Sequence, residues 1–324
     1  MQLYKDENVS IVASAVFDEA PVTVTPLRFG VNLKQWAADH VQLIEQVLQE
    51  HGAILFRKFK VNGSGHFQDI IEGIYGVGLT EYENRSTPRT RVKGNVYTST
   101  EYPANETIPL HNENAYTNKW ANRIFFFCVK PSAVGGQTPI ADSRRVFQAI
   151  PPATREKLIQ QKIRYTRNYG HFDLHWHEVF QTTDPAEVEA YCRNNDIHYQ
   201  WRPDGQLTTW QICDAVQTHP KTGEMVWFNQ AHLFHVSALQ AEVRESLLQA
   251  FSSDLLPRNA FYGDGSEFEE SVLADIRAAF VQEKRVFNWQ MGDVLLLDNM
   301  LFAHGREPFE GERQVLVGMV DPRA

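Results

Sequence analysis

The sequence predicts a mixed α/β protein with a mainly β core, namely a double-stranded β-helix (jelly roll) with flanking helices. Apolar, strand-like segments occur early in the chain, at residues 53–59 and 124–129, and late, at residues 294–299. Aromatic residues make up 12% of the 324 residues, which is typical of a sheet-rich protein with a deep pocket. Since no repeat or linker marks a boundary, we expect one domain over residues 1–324, with a large insertion, or lid, at roughly 145–285.

Helix positions follow from apolar spacing and from capping residues. Apolar side chains at near-helical spacing over residues 33–51, followed by Gly52, predict the first helix, and Ser64 is expected to cap the second. The later helices are expected at capping residues, at prolines of a first turn, or at an apolar stripe: Asp142 or Ser143, Pro151-Pro152, Asp184-Pro185, the stripe Leu239, Val243 and Leu247, and the capping box Ser266-x-x-Glu269.

The remaining strands are predicted from runs of β-branched and aromatic residues. Residues 163–169 form one candidate, and residues 197–203 and 206–216 form a hairpin joined by the turn Pro203-Asp204-Gly205. Residues 286–290 are expected to form another strand, ahead of the last one at residues 313–320.

A long polar and basic loop is predicted at residues 80–107, because prolines interrupt any regular element there. Such loops often cover active sites. Arg85, Arg89 and Arg91 could recognise an anionic part of a substrate from this loop, and a purely solvated loop is an equally good interpretation.

Three side chains form a candidate metal site. His111 and Glu113 are two residues apart, so on an extended strand they leave the backbone on the same side. His304 is the best candidate for a third ligand. Two histidines and one carboxylate with the opposite face open is the arrangement of non-heme Fe(II) oxygenases. Nine residues further on, Arg313 opens an apolar strand, and a buried guanidinium there is suited to grip a carboxylate with two hydrogen bonds.

A resemblance to a known family rests on five motifs: His111-x-Glu113, Gly135-Gly136-Gln137-Thr138, GDVLLLDN at residues 292–299, His304 and Arg313. Together they resemble the taurine dioxygenase (TauD/TfdA-like) group of Fe(II)- and 2-oxoglutarate-dependent oxygenases. The likeness is greatest to the syringomycin-type amino-acid β-hydroxylases of natural-product biosynthesis, and it covers most of the chain.

The resemblance implies a ligand set and a reaction. His111, Glu113 and His304 would bind iron, while Thr138 and Arg313 would hold the distal carboxylate of 2-oxoglutarate. With O₂, such an enzyme converts 2-oxoglutarate to succinate and CO₂, and it hydroxylates, desaturates or cyclises at an aliphatic C–H bond. The implied substrate is an amino acid or an amino-acid derivative, either free or tethered to a carrier protein.

Two departures from the family pattern narrow the expected chemistry. The family's commoner His-x-Asp is His-x-Glu here. Halogenases of the family have Ala or Gly at the position of this acidic residue, which leaves a metal coordination position vacant for chloride. Because Glu113 fills that position, no chlorinated product is expected. Taurine enzymes carry a second arginine four residues after the first, where this chain has Val317. A small sulfonate is therefore not the expected substrate, because an apolar side chain offers it no partner.

Composition excludes several classes of partner. The net charge of −9 and the lack of a basic stripe disfavour nucleic acid. No stretch approaches the roughly 20 apolar residues of a membrane span, and the N-terminal residues lack a signal-peptide core. Three cysteines without framework spacing are typical of reduced thiols, so a cytoplasmic enzyme is expected, with homo-oligomerisation left open.

Two alternatives stay open at this point. The segment from His171 to His177 holds three histidines and, with Glu178, two acids, so a zinc-dependent hydrolase is conceivable, although the segment lacks the HExxH spacing. A jelly roll can also be a non-catalytic binding protein, because a fold does not dictate a function.

Overall fold

A computed structural model describes residues 1–13, 21–79, 90–99, 102–170, 174–203 and 205–320. Its strands, in chain order, are β1 Gln2–Lys5, β2 Val9–Val12, β3 Val22–Pro26, β4 Ala53–Phe56, β5 Arg91–Lys93, β6 Val96–Thr98, β7 Ile108–His111, β8 Arg123–Lys130, β9 Val134–Gly135, β10 Ile140–Asp142, β11 Ile163–Tyr169, β12 His198–Trp201, β13 Leu207–Cys213, β14 Val216–Thr218, β15 Met225–Trp227, β16 Arg258–Tyr262, β17 Val294–Asp298, β18 Phe302–Arg306, β19 Phe309–Glu310 and β20 Gln314–Val320. The α-helices are α1 Leu33–Asp39, α2 Val41–His51, α3 Gly63–Tyr75, α4 Ser143–Ala149, α5 Pro152–Gln161, α6 Trp176–Phe180, α7 Pro185–Asn194, α8 Ala231–Phe234, α9 Ala241–Ala250 and α10 Glu270–Glu283.

The core is built on a nine-stranded sheet in the order β1-β2-β3-β4-β17-β8-β20-β6-β5. Its central strands send alternate residues to opposite faces. On β8, Phe125 and Phe127 pack in one buried cluster with α1, α2 and α3, whereas Phe126 and Cys128 pack in a second cluster with β18. The β18 strand is the centre of a three-stranded sheet, β10-β18-β7. The apolar strands near residues 53–59, 124–129, 294–299 and 313–320 are thereby confirmed, and so is the mixed α/β fold class.

Most of the chain between α4 and α10 forms a separate layer. It contains a four-stranded antiparallel sheet, β12-β13-β11-β16, in which the predicted hairpin and the predicted strand at residues 163–169 are neighbours. Within that hairpin's turn, Asp204 lies outside the described residues. The extent of the insertion at 145–285 and the single domain over 1–324 remain predictions.

Several helix starts are confirmed at their capping groups. The Asp142 carboxylate accepts a hydrogen bond from the Arg144 backbone N–H at the start of α4, and Asp184 does the same for Ala186 in α7. The α5 helix begins at Pro152, where a missing N–H costs nothing.

Other local predictions are wrong, each for a physical reason. The helix expected over residues 33–51 is broken at His40, whose backbone leaves the helical region and whose ring stacks on Trp36. Ser64 lies inside α3 and does not cap it. The capping box fails because the Ser266 hydroxyl bonds to Asp264, so that α10 begins only after Glu269.

Two further predictions on apolar pattern differ from the structure. Residues 286–290 form no strand, and only the neighbouring Arg285 makes a single bridge, to Ile140. The helix predicted at the apolar stripe is present as α9, but Leu239 precedes it, and α9 buries none of its residues. None of the helices in the described residues is both long and apolar enough to cross a membrane.

Candidate metal centre and carboxylate pocket

The three predicted ligands converge between β7, β18 and the turn that follows β7. The two strands are antiparallel, with His304 directly opposite His111. Ligand atoms of His111, Glu113 and His304 all lie within 4.8 Å of one another, and the Glu113 Oε2 to His304 Nε2 distance is 3.8 Å. Among the described residues, this is the only group of three potential metal-ligating side chains.

The reason for the convergence differs from the predicted one. The β7 strand ends at His111, so Glu113 does not lie on an extended strand. It lies in a turn in which Asn114 has a positive φ of 57°. The turn brings the carboxylate back towards the two rings, and Glu113 and His304 are almost fully buried.

Buried amide side chains fix this turn. The Asn299 side chain accepts a hydrogen bond from the Glu113 N–H at 2.8 Å and donates one to the Glu113 carbonyl at 3.0 Å. In return, the Asn112 amide donates to the Asn299 carbonyl at 2.7 Å and to the Ser143 hydroxyl at 3.0 Å. The Glu113 backbone is therefore held on both sides, although sequence reasoning assigned no role to either asparagine.

The imidazole of His111 is oriented by its own strand. Its Nδ1 lies 2.8 Å from the carbonyl oxygen of Pro109, which can only accept a hydrogen bond. Nδ1 thus carries the proton, and Nε2 is the nitrogen available to a metal. An outer hydrogen bond of this kind is the usual way in which proteins fix a ligand histidine.

A small cavity adjoins the ligand histidines and is lined by His111, Phe126, Thr138, His304, Arg306 and Arg313, with Ser99, Ile108, Gly305 and Val315. Four of the five predicted site residues therefore line this cavity, and the fifth, Glu113, lies beside His111 and His304. Val317 lies on the same strand as Val315 and packs in the same buried apolar cluster.

Arg313 lines this cavity and makes two hydrogen-bond contacts with the described residues. Its Nε donates to the Gly136 carbonyl at 2.8 Å, and its Nη1 lies 3.5 Å from the Ser99 hydroxyl. Within the part of the chain that the structure describes, no carboxylate forms an ion pair with it. Burial, and the nearby charge of Arg306, lower the pKa of Arg313 to about 10. An anion in the cavity would stabilise the charged guanidinium and so offset both the burial and the repulsion from Arg306.

The Gly135-Gly136 motif makes this approach possible. Both glycines have φ of +68°, and a Cβ on Gly136 would lie 2.9 Å from Arg313 Cδ. A Cβ on Gly135 would overlap the Pro308 carbonyl oxygen. Any other residue at these positions would displace the arginine or the chain after β18.

The orientation of Thr138 in the same cavity depends on Trp289, a residue that the sequence analysis does not identify as part of the site. The indole Nε1–H of Trp289 donates to the Thr138 hydroxyl oxygen at 3.0 Å, and both residues are buried. Because an indole N–H can only donate, the threonine hydroxyl keeps its own hydrogen for an acceptor elsewhere.

Arg306 completes the wall of the cavity. Its guanidinium donates to the carbonyl oxygens of Tyr102, Pro103 and Glu106 at 2.9, 2.5 and 2.8 Å. It therefore holds the segment that leads into β7.

Of the arginines predicted to meet an anionic substrate from the loop at residues 80–107, Arg85 and Arg89 lie outside the described residues. Arg91 is exposed on β5, with its guanidinium 3.3 Å from the Tyr97 hydroxyl.

The rival histidine cluster lies only partly within the described residues. His171 and Asp173 fall outside them. His175 caps the short helix α6, with its Nδ1 accepting from the His177 N–H, and its ring lies 4.3 Å from that of His177. A zinc site there remains untested.

Known proteins match this sequence over most of its length. The family model described as "Taurine catabolism dioxygenase TauD, TfdA family" matches residues 21–320. The chain is 46% identical over 280 residues to the dapdiamide synthesis protein DdaC of Enterobacter agglomerans, covering 86% of this chain and 85% of that protein. It is 29% identical over 292 residues to a clavaminate synthase-like protein of Arabidopsis thaliana, covering 85% and 83% of the two chains.

Solved structures share the fold. The PvcB protein of Pseudomonas aeruginosa superposes with a TM-score of 0.59 at 14% identity, covering 99% of this chain and 94% of that one. A second PvcB structure, with a TM-score of 0.56 and the same identity and coverage, is described as an Fe, alpha-ketoglutarate dependent oxygenase from an isonitrile synthetic pathway. The predicted family and enzyme class are confirmed: the chain belongs to the TauD/TfdA family of dioxygenases.

Proposed function

We propose that this protein is an Fe(II)- and 2-oxoglutarate-dependent oxygenase that oxidises an aliphatic C–H bond of an amino acid or amino-acid derivative. The observation that carries the proposal is the juxtaposition of a two-histidine, one-carboxylate cluster with a cavity that presents Arg313 and Thr138. A metal site alone would suit many functions. A guanidinium that pairs with no carboxylate among the described residues suits a cosubstrate that brings its own carboxylate.

The donor set fits ferrous iron. Two imidazole nitrogens and one carboxylate oxygen on one face, with the opposite face open, is the arrangement of non-heme Fe(II) oxygenases. In this proposal His111, Glu113 and His304 hold the ion. When bound, iron, 2-oxoglutarate and O₂ together supply the oxidising power, and succinate and CO₂ are the by-products.

The chain's own residues orient the cosubstrate and protect it from water. Arg313 supplies charge and Thr138 a hydrogen bond to the distal carboxylate, with Trp289 fixing the direction of the threonine hydroxyl. Phe126 and Val315 line the same cavity with apolar surface. A low local dielectric strengthens the attraction between the guanidinium and a carboxylate.

The substrate class is proposed from the relatives and from the apolar wall. DdaC is described as acting in dapdiamide synthesis and PvcB in an isonitrile synthetic pathway, so a role in natural-product biosynthesis is supported. At the position of the second arginine of taurine enzymes, Val317 is buried and uncharged, which supports a substrate without a sulfonate. The substrate is free or carrier-bound, the assembly is a monomer or a homo-oligomer, and the compartment is the cytoplasm, in which the three free, buried cysteines stay reduced.

Succinate release tests the proposal directly. The purified protein is loaded anaerobically with Fe(II), mixed with 2-oxoglutarate, and exposed to O₂ with free amino acids, carrier-loaded amino acids or taurine. We expect succinate formation that an amino-acid substrate stimulates, that Glu113→Ala abolishes, and that the exposed control Glu245→Ala preserves. Iron-independent turnover, or full turnover by Glu113→Ala, would overturn the proposal, and efficient sulfite release from taurine would overturn the substrate class.

A further inference from the structure

A short helix from the layer between α4 and α10 lies directly behind the strand that carries His111. Gln230 precedes α8, and its Nε2 donates to the Asn112 carbonyl at 2.7 Å. His232, within α8, has its Nε2 3.0 Å from the Leu110 carbonyl oxygen. Both side chains are almost fully buried, with 3% and 4% of their surface exposed. They therefore hold the two carbonyl groups that flank His111 in the chain.

These contacts satisfy carbonyl groups at a sheet edge. Among the described strands of the three-stranded sheet, β7 lies at the edge and pairs with β18. On an edge strand, alternate carbonyls point away from the partner and must find another donor when they are buried. Leu110 is such a residue of β7, and Asn112 directly follows His111, the last residue of the strand, which faces His304 across the pair.

The protonation state of His232 suits a permanent donor. Its Nε2 faces a carbonyl oxygen, which can only accept, so this nitrogen carries the hydrogen. Burial lowers the pKa of His232 to about 3, which favours the neutral ring near neutral pH. The Phe280 ring packs 4.6 Å from it, centroid to centroid, and Arg277 donates to the His232 carbonyl at 3.0 Å. The α10 helix thus holds the imidazole in place.

Gln230 is anchored from a second direction. Its backbone N–H donates to the Tyr165 hydroxyl of β11 at 2.7 Å. Gln230 therefore links the four-stranded sheet to the residue after His111 through two hydrogen bonds, one from its backbone and one from its side chain.

We propose that Gln230 and His232 are positioning residues for the metal ligand His111, so that this layer is part of the metal centre and more than a lid. The inference rests on the proposed function, because it takes His111 as a ligand. Side chains that orient a ligand from outside typically change metal affinity about 10- to 100-fold when they are removed.

The test uses Co(II), which reports its ligand environment through its visible absorption spectrum without any turnover. Co(II) is titrated anaerobically into the wild-type protein and into His232→Leu, His232→Gln and Gln230→Leu, with a competing chelator to define affinity. The matched control is His51→Leu, which removes another buried histidine, at the end of α2, whose Nε2 lies 3.7 Å from Glu50. Metal-free thermal midpoints are measured in parallel.

We expect about 10- to 100-fold weaker Co(II) binding and an altered spectrum in both leucine variants. His232→Gln restores the affinity to within a few fold, because its amide places a donor near the position of Nε2. His51→Leu binds like the wild-type protein. Wild-type affinity in Gln230→Leu and His232→Leu, or losses confined to the metal-free midpoint, would overturn the inference alone. Failure of the wild-type protein to bind Co(II) would instead refute the proposed function and, with it, this inference.

Discussion

Replacing Arg313 by leucine tests the carboxylate pocket most sharply. The variant keeps an apolar side chain but removes the guanidinium, which has no carboxylate partner among the described residues. The distal carboxylate of 2-oxoglutarate would then be buried without a counter-charge. Truncating one side of a buried, hydrogen-bonded charge pair costs about 2–5 kcal/mol. At 1.4 kcal/mol per tenfold, this corresponds to an increase in Kd of about 30- to 4,000-fold.

The assay is an anaerobic calorimetric titration of 2-oxoglutarate into the Fe(II) protein. Arg313→Lys is the matched variant, because it keeps the charge but loses the hydrogen bond to the Gly136 carbonyl, and we expect an intermediate affinity. Iron affinity serves as the control, since Arg313 is not a proposed ligand, and it stays within a few fold of wild type. Equal 2-oxoglutarate affinity in Arg313→Leu and in the wild-type protein would refute the role of the guanidinium.

Three further predictions follow from contacts of Trp289, Asn299 and Glu45. Trp289→Phe removes the N–H that orients Thr138 and raises the Kd for 2-oxoglutarate about 2- to 10-fold, as expected for one hydrogen bond of about 0.5–1.5 kcal/mol; an unchanged Kd by calorimetry would contradict this. Asn299→Ala frees the backbone of Glu113 and weakens Co(II) binding about 10- to 100-fold, and wild-type affinity would speak against that anchor. Burial alone would raise the pKa of Glu45, but its partners Arg123, Lys221 and Tyr75 lower it from 4.5 to about 2. The contribution of the Glu45 carboxylate to stability is therefore complete above pH 4.5 and is lost as the pH falls towards 2. In urea unfolding, Glu45→Gln flattens this acid limb of the curve of stability against pH, and parallel wild-type and variant curves would refute the assignment.

The sequence predicts the site well where one strand or one motif carries the information. His304 and Arg313 belong to a compact block that a family pattern identifies, and the glycines before Thr138 have a local reason that the structure makes visible. Glu113 lies close to the two histidines for a reason other than the predicted one, because a turn at Asn114, rather than an extended strand, turns the carboxylate inwards. A positive φ at a non-glycine residue has no reliable signal in a single sequence.

What the sequence does not reveal depends on side chains that meet across the fold. Asn299 and Glu113 are 186 residues apart, and nothing in either segment indicates that one amide serves the other's backbone. Trp289 lies in a segment predicted as a strand, and nothing in that segment indicates that its indole donates to Thr138. Similarly, the contact between His232 and the Leu110 carbonyl oxygen has no signal in the sequence. The break at His40 and the lost capping box are cases in which a local contact outweighs helix periodicity.

The most direct test of the metal site is an anaerobic crystal structure with Fe(II) and 2-oxoglutarate, with anomalous data collected at the iron edge. We predict one strong anomalous peak, bonded to His111 Nε2, a Glu113 carboxylate oxygen and His304 Nε2, with the distal carboxylate of 2-oxoglutarate on Arg313. The peak is absent from crystals of His304→Ala grown in the same way. An iron peak at His175 and His177, or none between the three predicted ligands, would contradict the account.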